Sequence, residues 1–248
     1  MTLDENILTA AMVLSACLAG GFLRGVTGFG GVAVVLASLS FFYGPHTAIA
    51  LTLIVDLIGN LGIVPSAWAE SSKPKLKSML LGTAVGLPLG GIVLVMADQK
   101  YVSLGIYGTI FILSCLLLAG VRITRQLTGR EMFYASIPIG TIMGATSIAI
   151  PMALLLFSGS DKARTSRANF VIWVVFAILL VLAIVWFGGQ VDTGELWRAV
   201  YLAPAYLLGA VAGTRSMGRM NEELLRKAVL LTLLALGVAG AFAVVRSF

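Results

Sequence analysis

Few side chains in this sequence are equipped for chemistry, and most of those stand in or beside long uncharged runs. Arg24 opens the stretch Arg24-Gly25-Val26-Thr27-Gly28-Phe29-Gly30-Gly31. Asp56 and Asn60 sit one helical turn apart inside the apolar run 46–68. A second small-residue stretch, Gly140-Thr141-Ile142-Met143-Gly144-Ala145-Thr146-Ser147, leads to Pro151, and Asn169 follows at the head of another apolar run. Sliding one stretch onto the other by 116 positions lays Gly28 on Gly144. The chemistry these residues suit is the holding of an anion. A break in a membrane helix leaves backbone N–H and C=O groups that lipid cannot satisfy, so it is tolerated only where protein or a watery cavity covers it. A helix that restarts at such a break turns free N–H groups and about half a positive charge toward that cavity.

On this reading Thr27, Gly28, Gly30 and Gly31 form one half of an anion site, and Gly144, Thr146 and Ser147 form the other. The glycines let an anion approach the backbone closely, and the hydroxyls add donors. Arg24 has two readings. It grips the anion in a bidentate manner that lysine cannot copy, or it is a cytoplasmic anchor beside two true crossings. Asp56, with Asn60 on the same face, is a proton-coupling carboxylate, the resting counter-ion of Arg24, or a packing group; ionisable residues inside membranes usually face a cavity and a partner. Asn169 adds an amide to the site or caps its helix. His46, the single histidine, reads as a loop residue beside Gly44-Pro45.

The elements that must position these residues are membrane segments. Apolar residues make up 59% of the 248-residue chain and charged residues 11%, against about 45–50% and about 25% in soluble domains. Uncharged runs at 78–97, 102–121, 168–187 and 228–245 are each long enough to cross a core of roughly 30 Å. Segments 7–22 and 30–43 are short, about 16 and 14 residues where roughly 20 span comfortably. They form a broken or re-entrant pair, matched in the second half by 132–146 and 147–160. Each pair is followed by three crossings: 46–68, 78–97 and 102–121 in the first half, then 168–187, 197–214 and 228–245. The expected fold is therefore all-α and integral to the membrane, with about 8–10 segments. It divides into two repeats, 1–121 and 122–248, the second inverted because the first makes an odd net number of crossings. Inverted repeats with a site at their interface are a common secondary-transporter plan.

The net charge of +6 orients the chain and requires no nucleic-acid partner. With the N-terminus outside, 14 of the 17 Lys and Arg residues fall in cytoplasmic loops, and only Lys100, Arg198 and Arg246 fall outside. That is a positive-inside pattern, and it also leaves the C-terminus outside. Cys17 and Cys115 lie in apolar runs and imply no disulfide framework or metal site. No catalytic motif or nucleotide-binding loop appears, so neither an enzyme nor a cofactor is expected. The spacings Gly21-x-x-x-Gly25, Gly82-x-x-x-Gly86, Gly86-x-x-x-Gly90 and Gly140-x-x-x-Gly144 fit close helix contact, within the chain or across a homodimer. Trp173 and Trp186, at the two ends of one run, read as interfacial belt residues.

Three features together resemble the sulfite exporter TauE/SafE family over essentially the whole chain. They are the Gly-Phe-Gly-Gly stretch behind Arg24 and Thr27, the Gly44-Pro45 corner leading to Ala48-Ile49-Ala50-Leu51-Thr52, and the second pass at Gly144–Ala168. The chain departs from the family pattern at Val34-Val35, where a proline is often found, and at Thr146-Ser147-Ile148-Ala149, which replaces a glycine cluster. The resemblance implies a multi-pass protein of the bacterial cytoplasmic membrane that exports sulfite or organosulfonates. An uptake carrier or channel for another small sulfur-containing or carboxylate solute is the alternative on the same scaffold, and a membrane enzyme or assembly partner is a third reading.

Overall fold

The structure is a computed structural model that describes residues 3–27, 31–120, 127–148, 153, 163–191, 193–216 and 222–246. Ten helices are defined among the described residues: α1 (Leu3–Thr27), α2 (Gly31–Tyr43), α3 (Pro45–Leu61), α4 (Val64–Glu70), α5 (Lys73–Met96), α6 (Gln99–Leu118), α7 (Gly129–Thr146), α8 (Ala163–Phe187), α9 (Thr193–Ser216) and α10 (Glu222–Arg246). No strand occurs among these residues. Five of the helices, α1, α5, α6, α8 and α9, are long and apolar enough to cross a bilayer. The bent pair α3–α4 is a sixth candidate. The protein is an all-α, multi-pass membrane protein.

Local sequence sets several of the helix ends. Thr128 and Glu131 form a capping box at the start of α7, the Glu131 carboxylate accepting from the Thr128 N–H at 2.8 Å. Gly44, at φ 77°, turns the chain between α2 and α3, and Pro45 then begins α3 where its missing N–H does no harm. α2 is buried on nearly every side. At roughly 1.5 Å per residue its 13 residues reach about 20 Å, short of the roughly 30 Å of a hydrocarbon core.

Three expectations are corrected here. The run 46–68 is not one straight crossing: α3 ends at Leu61 and α4 leaves it at 67°. Pro65 has no N–H for the Leu61 carbonyl and its ring would collide with it, which favours a break at this point. The first segment is not short, because α1 extends through Thr27 and includes Arg24 in its last turn. Trp173 is not a belt residue. It is fully buried, its Nε1–H donating to Thr83 Oγ1 at 2.8 Å, while Trp186 at the far end of α8 is exposed. The expected segment 147–160 lies outside the described residues beyond Ile148 except for Ala153.

The most extensive contacts pair α5 with α7 and α1 with α9, followed by α6 with α10. Glycines allow the first two. A Cβ on Gly86 or Gly90 would stand 2.0 or 1.9 Å from the carbonyl oxygen of Ile137 or Thr141, and one on Gly144 2.1 Å from that of Leu87. On α1 and α9, a Cβ on Gly21 would meet the Tyr206 oxygen at 2.0 Å, and one on Gly209 the Leu18 oxygen at 2.1 Å. Backbones in such contact leave no room for any side chain, which is how helices associate when lipid removes the hydrophobic drive between them. The four predicted glycine spacings are thus occupied by packing inside the chain, joined by an unpredicted fifth, Gly209-x-x-x-Gly213. Along α5, Leu81, Val85, Leu89 and Ile92 form an exposed apolar stripe, as a lipid-facing surface requires.

Candidate functional site

A charged cluster forms where α1, α3 and α9 meet. The Arg24 guanidinium is ion-paired through Nη1 with Asp56 Oδ1. The same nitrogen donates to the Tyr206 hydroxyl at 3.0 Å, and Nη2 donates to Asn60 Oδ1 at 2.7 Å. Tyr206 donates onward to Asp56 Oδ1 at 3.0 Å. Asn60, one turn beyond Asp56, donates from Nδ2 to the Asp56 carbonyl at 2.8 Å and to Oδ2 at 3.3 Å. Each member is therefore held by at least two others, and the cluster has no net charge.

The backbone explains why these groups meet. Gly21 and Gly25 lie against α9 at Tyr206 and Ala210, which brings the last turn of α1 within reach of the Tyr206 hydroxyl. Asp56 and Asn60 project from one face of α3 toward both helices. Asp56 and Tyr206 are buried, whereas the Arg24 side chain keeps 19% of its surface exposed. The cation is the part of the cluster that a solute can reach. Removing an ion pair from water costs several kcal/mol per charge, and the pair breaks even only when hydrogen bonds occupy the remaining sites. Here Tyr206 and Asn60 supply those bonds.

The structure brings Arg24, Asp56 and Asn60 together and leaves the other expected site residues on separate elements. Gly28 and Gly30 lie outside the described residues, and Thr27 is described only in its backbone. Gly31 opens α2 against α1, where a Cβ would stand 2.1 Å from the Gly20 oxygen. Gly144 faces α5 at Leu87, so its lack of a side chain is already required by packing. Thr146 donates back to the Ile142 carbonyl at 2.9 Å and accepts from the Ile148 N–H at 3.4 Å. Ser147 closes α7 in the left-handed region at φ 59°, with its hydroxyl buried and unpartnered. Asn169 Oδ1 accepts from the Ser72 N–H at 2.8 Å and so ties α8 to the start of α5. Among the described residues no hydrogen bond or ion pair links Thr146, Ser147 or Asn169 to the Arg24 cluster.

Two further placements differ from the sequence reading. His46 is not in a loop: it lies in the first turn of α3, buried, with Nε2 3.0 Å from the Leu94 carbonyl oxygen. Tyr206, which bridges both charges, was not anticipated. Its signal is one of two hydroxyl-bearing rings in the uncharged run 199–214, and only the fold shows that Tyr206 is buried among charges while Tyr201 is exposed. No group of His, Cys, Asp and Glu able to hold a metal is found among the described residues.

The family model described as sulfite exporter TauE/SafE matches residues 12–240, a span that includes both broken regions and all four residues of the cluster. No curated protein and no solved structure matches the chain. A bundle of apolar helices long enough to cross a membrane, holding an Arg–Asp pair between them and matched by that model over nearly its whole length, belongs to the sulfite exporter TauE/SafE family of membrane transporters.

Proposed function

We propose that this protein is a secondary transporter that moves small anions, sulfite or organosulfonates, out across the bacterial cytoplasmic membrane, both termini facing outward. The observation that carries the reading is Arg24, a partly accessible guanidinium at the end of a membrane helix whose one charged partner among the described residues is Asp56. In the resting state Asp56 occupies the cation. An arriving anion displaces it and takes up the guanidinium, with donors from the backbone around residues 27–31, where α2 begins, and from the unpartnered Ser147 hydroxyl. A proton on Asp56 removes its attraction for Arg24, so proton binding and anion binding favour each other. Asn60 and Tyr206 hold the carboxyl in either state. No other charged group contacts Asp56 from the helices packed on α3, among the described residues. An inside-negative membrane potential drives net negative charge outward by about 2.3 kcal/mol per charge per 100 mV, so it favours export of an anion that carries more charge than the protons moved with it.

The site sits, in this reading, between two inverted halves, 1–121 and 122–248. Three observations support the division. The 116-position offset lays α1 on α7 and α5 on α9, and α1 packs on α9 as α7 packs on α5. It also lays α3 on α8, and α3 packs on α9 as α8 packs on α5. Pro88 inside α5 and Pro204 inside α9 are also 116 positions apart, the offset that lays Gly28 on Gly144.

The test is sulfite binding and flux in proteoliposomes. Arg24→Lys keeps the charge but loses the fork, and is expected to weaken sulfite binding by about tenfold or more, as for one lost charged hydrogen bond. Asp56→Asn is expected to remove the dependence of flux on a pH gradient while sulfite still binds. Wild-type sulfite affinity in Arg24→Lys would refute the site.

A further inference from the structure

Among the described residues, four buried side-chain atoms have no hydrogen-bond partner: His46 Nδ1, Thr52 Oγ1, Ser147 Oγ and Asn169 Nδ2. Buried polar groups are almost always paired, so an unpaired one calls for a reason. One of them, on Asn169, has a defined direction. The Ser72 N–H donates to the Asn169 amide, so the bonded atom is the oxygen and the free end is the NH2 group, a donor only. That donor sits on a residue with no exposed surface.

Thr52 is equally distinctive. Thr141, Thr146, Thr214 and Thr232 all turn their hydroxyls back to the carbonyl four residues earlier, the usual way a threonine satisfies itself in a helix. Thr52 does not, although it is 2% exposed. It lies one turn before Asp56 on α3, so Thr52, Asp56 and Asn60 form a row on one face at intervals of about 6 Å. α3 packs directly on α8, which carries Asn169.

We propose that Thr52, on the α3 face that carries Asp56 and Asn60, and Asn169, on the neighbouring helix α8, are contact points for the transported anion on its path past Arg24. The substrate class rests on the anion-transport reading above. The placement of the path rests on the unpaired donors. An amide NH2 and a hydroxyl without partners suit an ionised oxyanion such as a sulfonate or sulfite, whose charged oxygens accept more strongly than those of a neutral acid, and the NH2 offers a cation nothing.

The experiment measures equilibrium binding of radiolabelled sulfite, with methanesulfonate as a second probe, and thermal unfolding of the purified protein. Thr52→Val keeps the shape and removes the hydroxyl. It is expected to weaken sulfite binding about tenfold or more, with a melting temperature equal to or above wild type, because an unpaired buried group has been removed. Thr52→Ser should restore the affinity. Asn169→Asp keeps an acceptor for the Ser72 N–H, replaces the donor with a carboxylate, and should weaken sulfite binding at least as much. Unaltered sulfite affinity in Thr52→Val and Asn169→Asp overturns the proposal. So does a lowered melting temperature in Thr52→Val with a loss of affinity that Thr52→Ser does not reverse, which makes the hydroxyl structural. Arg24→Lys measured alongside separates the two readings. Loss of affinity there alone removes the Thr52 and Asn169 contacts and leaves the anion site standing. Wild-type affinity in all three variants, or failure of the unmutated protein to bind either anion, removes both.

Discussion

At the junction of α1, α3 and α9, two helices in glycine contact meet a third, and the bonds across the meeting point are charged: Arg24, Asp56, Asn60 and Tyr206. At the junction of α7, α5 and α8, two helices in the same kind of glycine contact again meet a third. There the bond across the meeting point is neutral, Trp173 to Thr83. The second junction demonstrates that this arrangement of helices closes without any charge. A buried ion pair is a poor device for stability, often no better than well-packed apolar groups in its place. The ion pair at the first junction therefore calls for a reason other than packing, and an accessible guanidinium provides one. Charge is confined to one junction of the two, which fits a carrier with one anion site rather than two.

The largest effect is expected from the feature both junctions share. A side chain at Gly86 would meet the Ile137 carbonyl oxygen, and one at Gly21 the Tyr206 oxygen, each within 2.0 Å at its first atom. Backbone cannot swing aside as a side chain does, so the helices must part. Gly86→Val and Gly21→Val should each give little or no monodisperse protein in size-exclusion chromatography. Tolerance at one position and collapse at the other would break the equivalence of the two helix pairs.

Next comes the feature that differs. Asp56→Leu strands a partly buried guanidinium and is expected to destabilise the protein, by less than the roughly 3–5 kcal/mol of a fully buried broken pair. The double variant Arg24→Met, Asp56→Leu should recover most of that loss, because it converts the charged junction into a neutral one, yet should carry no sulfite flux. Thermal unfolding and flux measured together decide the matter. Flux retained in the double variant would mean that the pair is structural after all.

How much of this was legible in the sequence depends on whether a residue's partner is local. The start of α2 and the end of α7 were legible, because runs of glycine and small residues at 28–31 and around 144–147 cannot sustain a continuous apolar helix, whereas the end of α1 was placed too early, at residue 22. The pairing of Arg24 with Asp56 was legible as one of a few options, because a charge in an apolar segment must find an opposite charge. The bend at Pro65 was present in the sequence but hidden by unbroken hydropathy from 46 to 68. Tyr206 and Trp173 were not legible. A tyrosine or tryptophan in an apolar run has an interfacial reading and a core reading, and the choice depends on whether another helix presents a polar atom at the right height. Asp56 and Thr83 do so from helices distant in sequence, 150 and 90 positions away.

The smallest effect sharpens the contrast. Trp173→Phe removes the Nε1–H and leaves Thr83 Oγ1 without its donor, while a ring of similar character fills most of the space. The loss is expected to be roughly 1–3 kcal/mol, the usual range for a deleted buried hydrogen bond. It should fall toward the lower end, because the Thr83 hydroxyl can rotate onto a carbonyl of its own helix. Sulfite affinity should not change, since the Trp173–Thr83 bond touches no charged group. Tyr206→Phe is the matched deletion at the other junction, and it removes the one hydroxyl bonded to both Arg24 and Asp56. There the stability loss should be of the same order, but sulfite affinity and the pH dependence of flux should both shift. If Trp173→Phe moves affinity and pH dependence as far as Tyr206→Phe does, the neutral junction belongs to the transport site, and the single charged site gives way to two coupled ones.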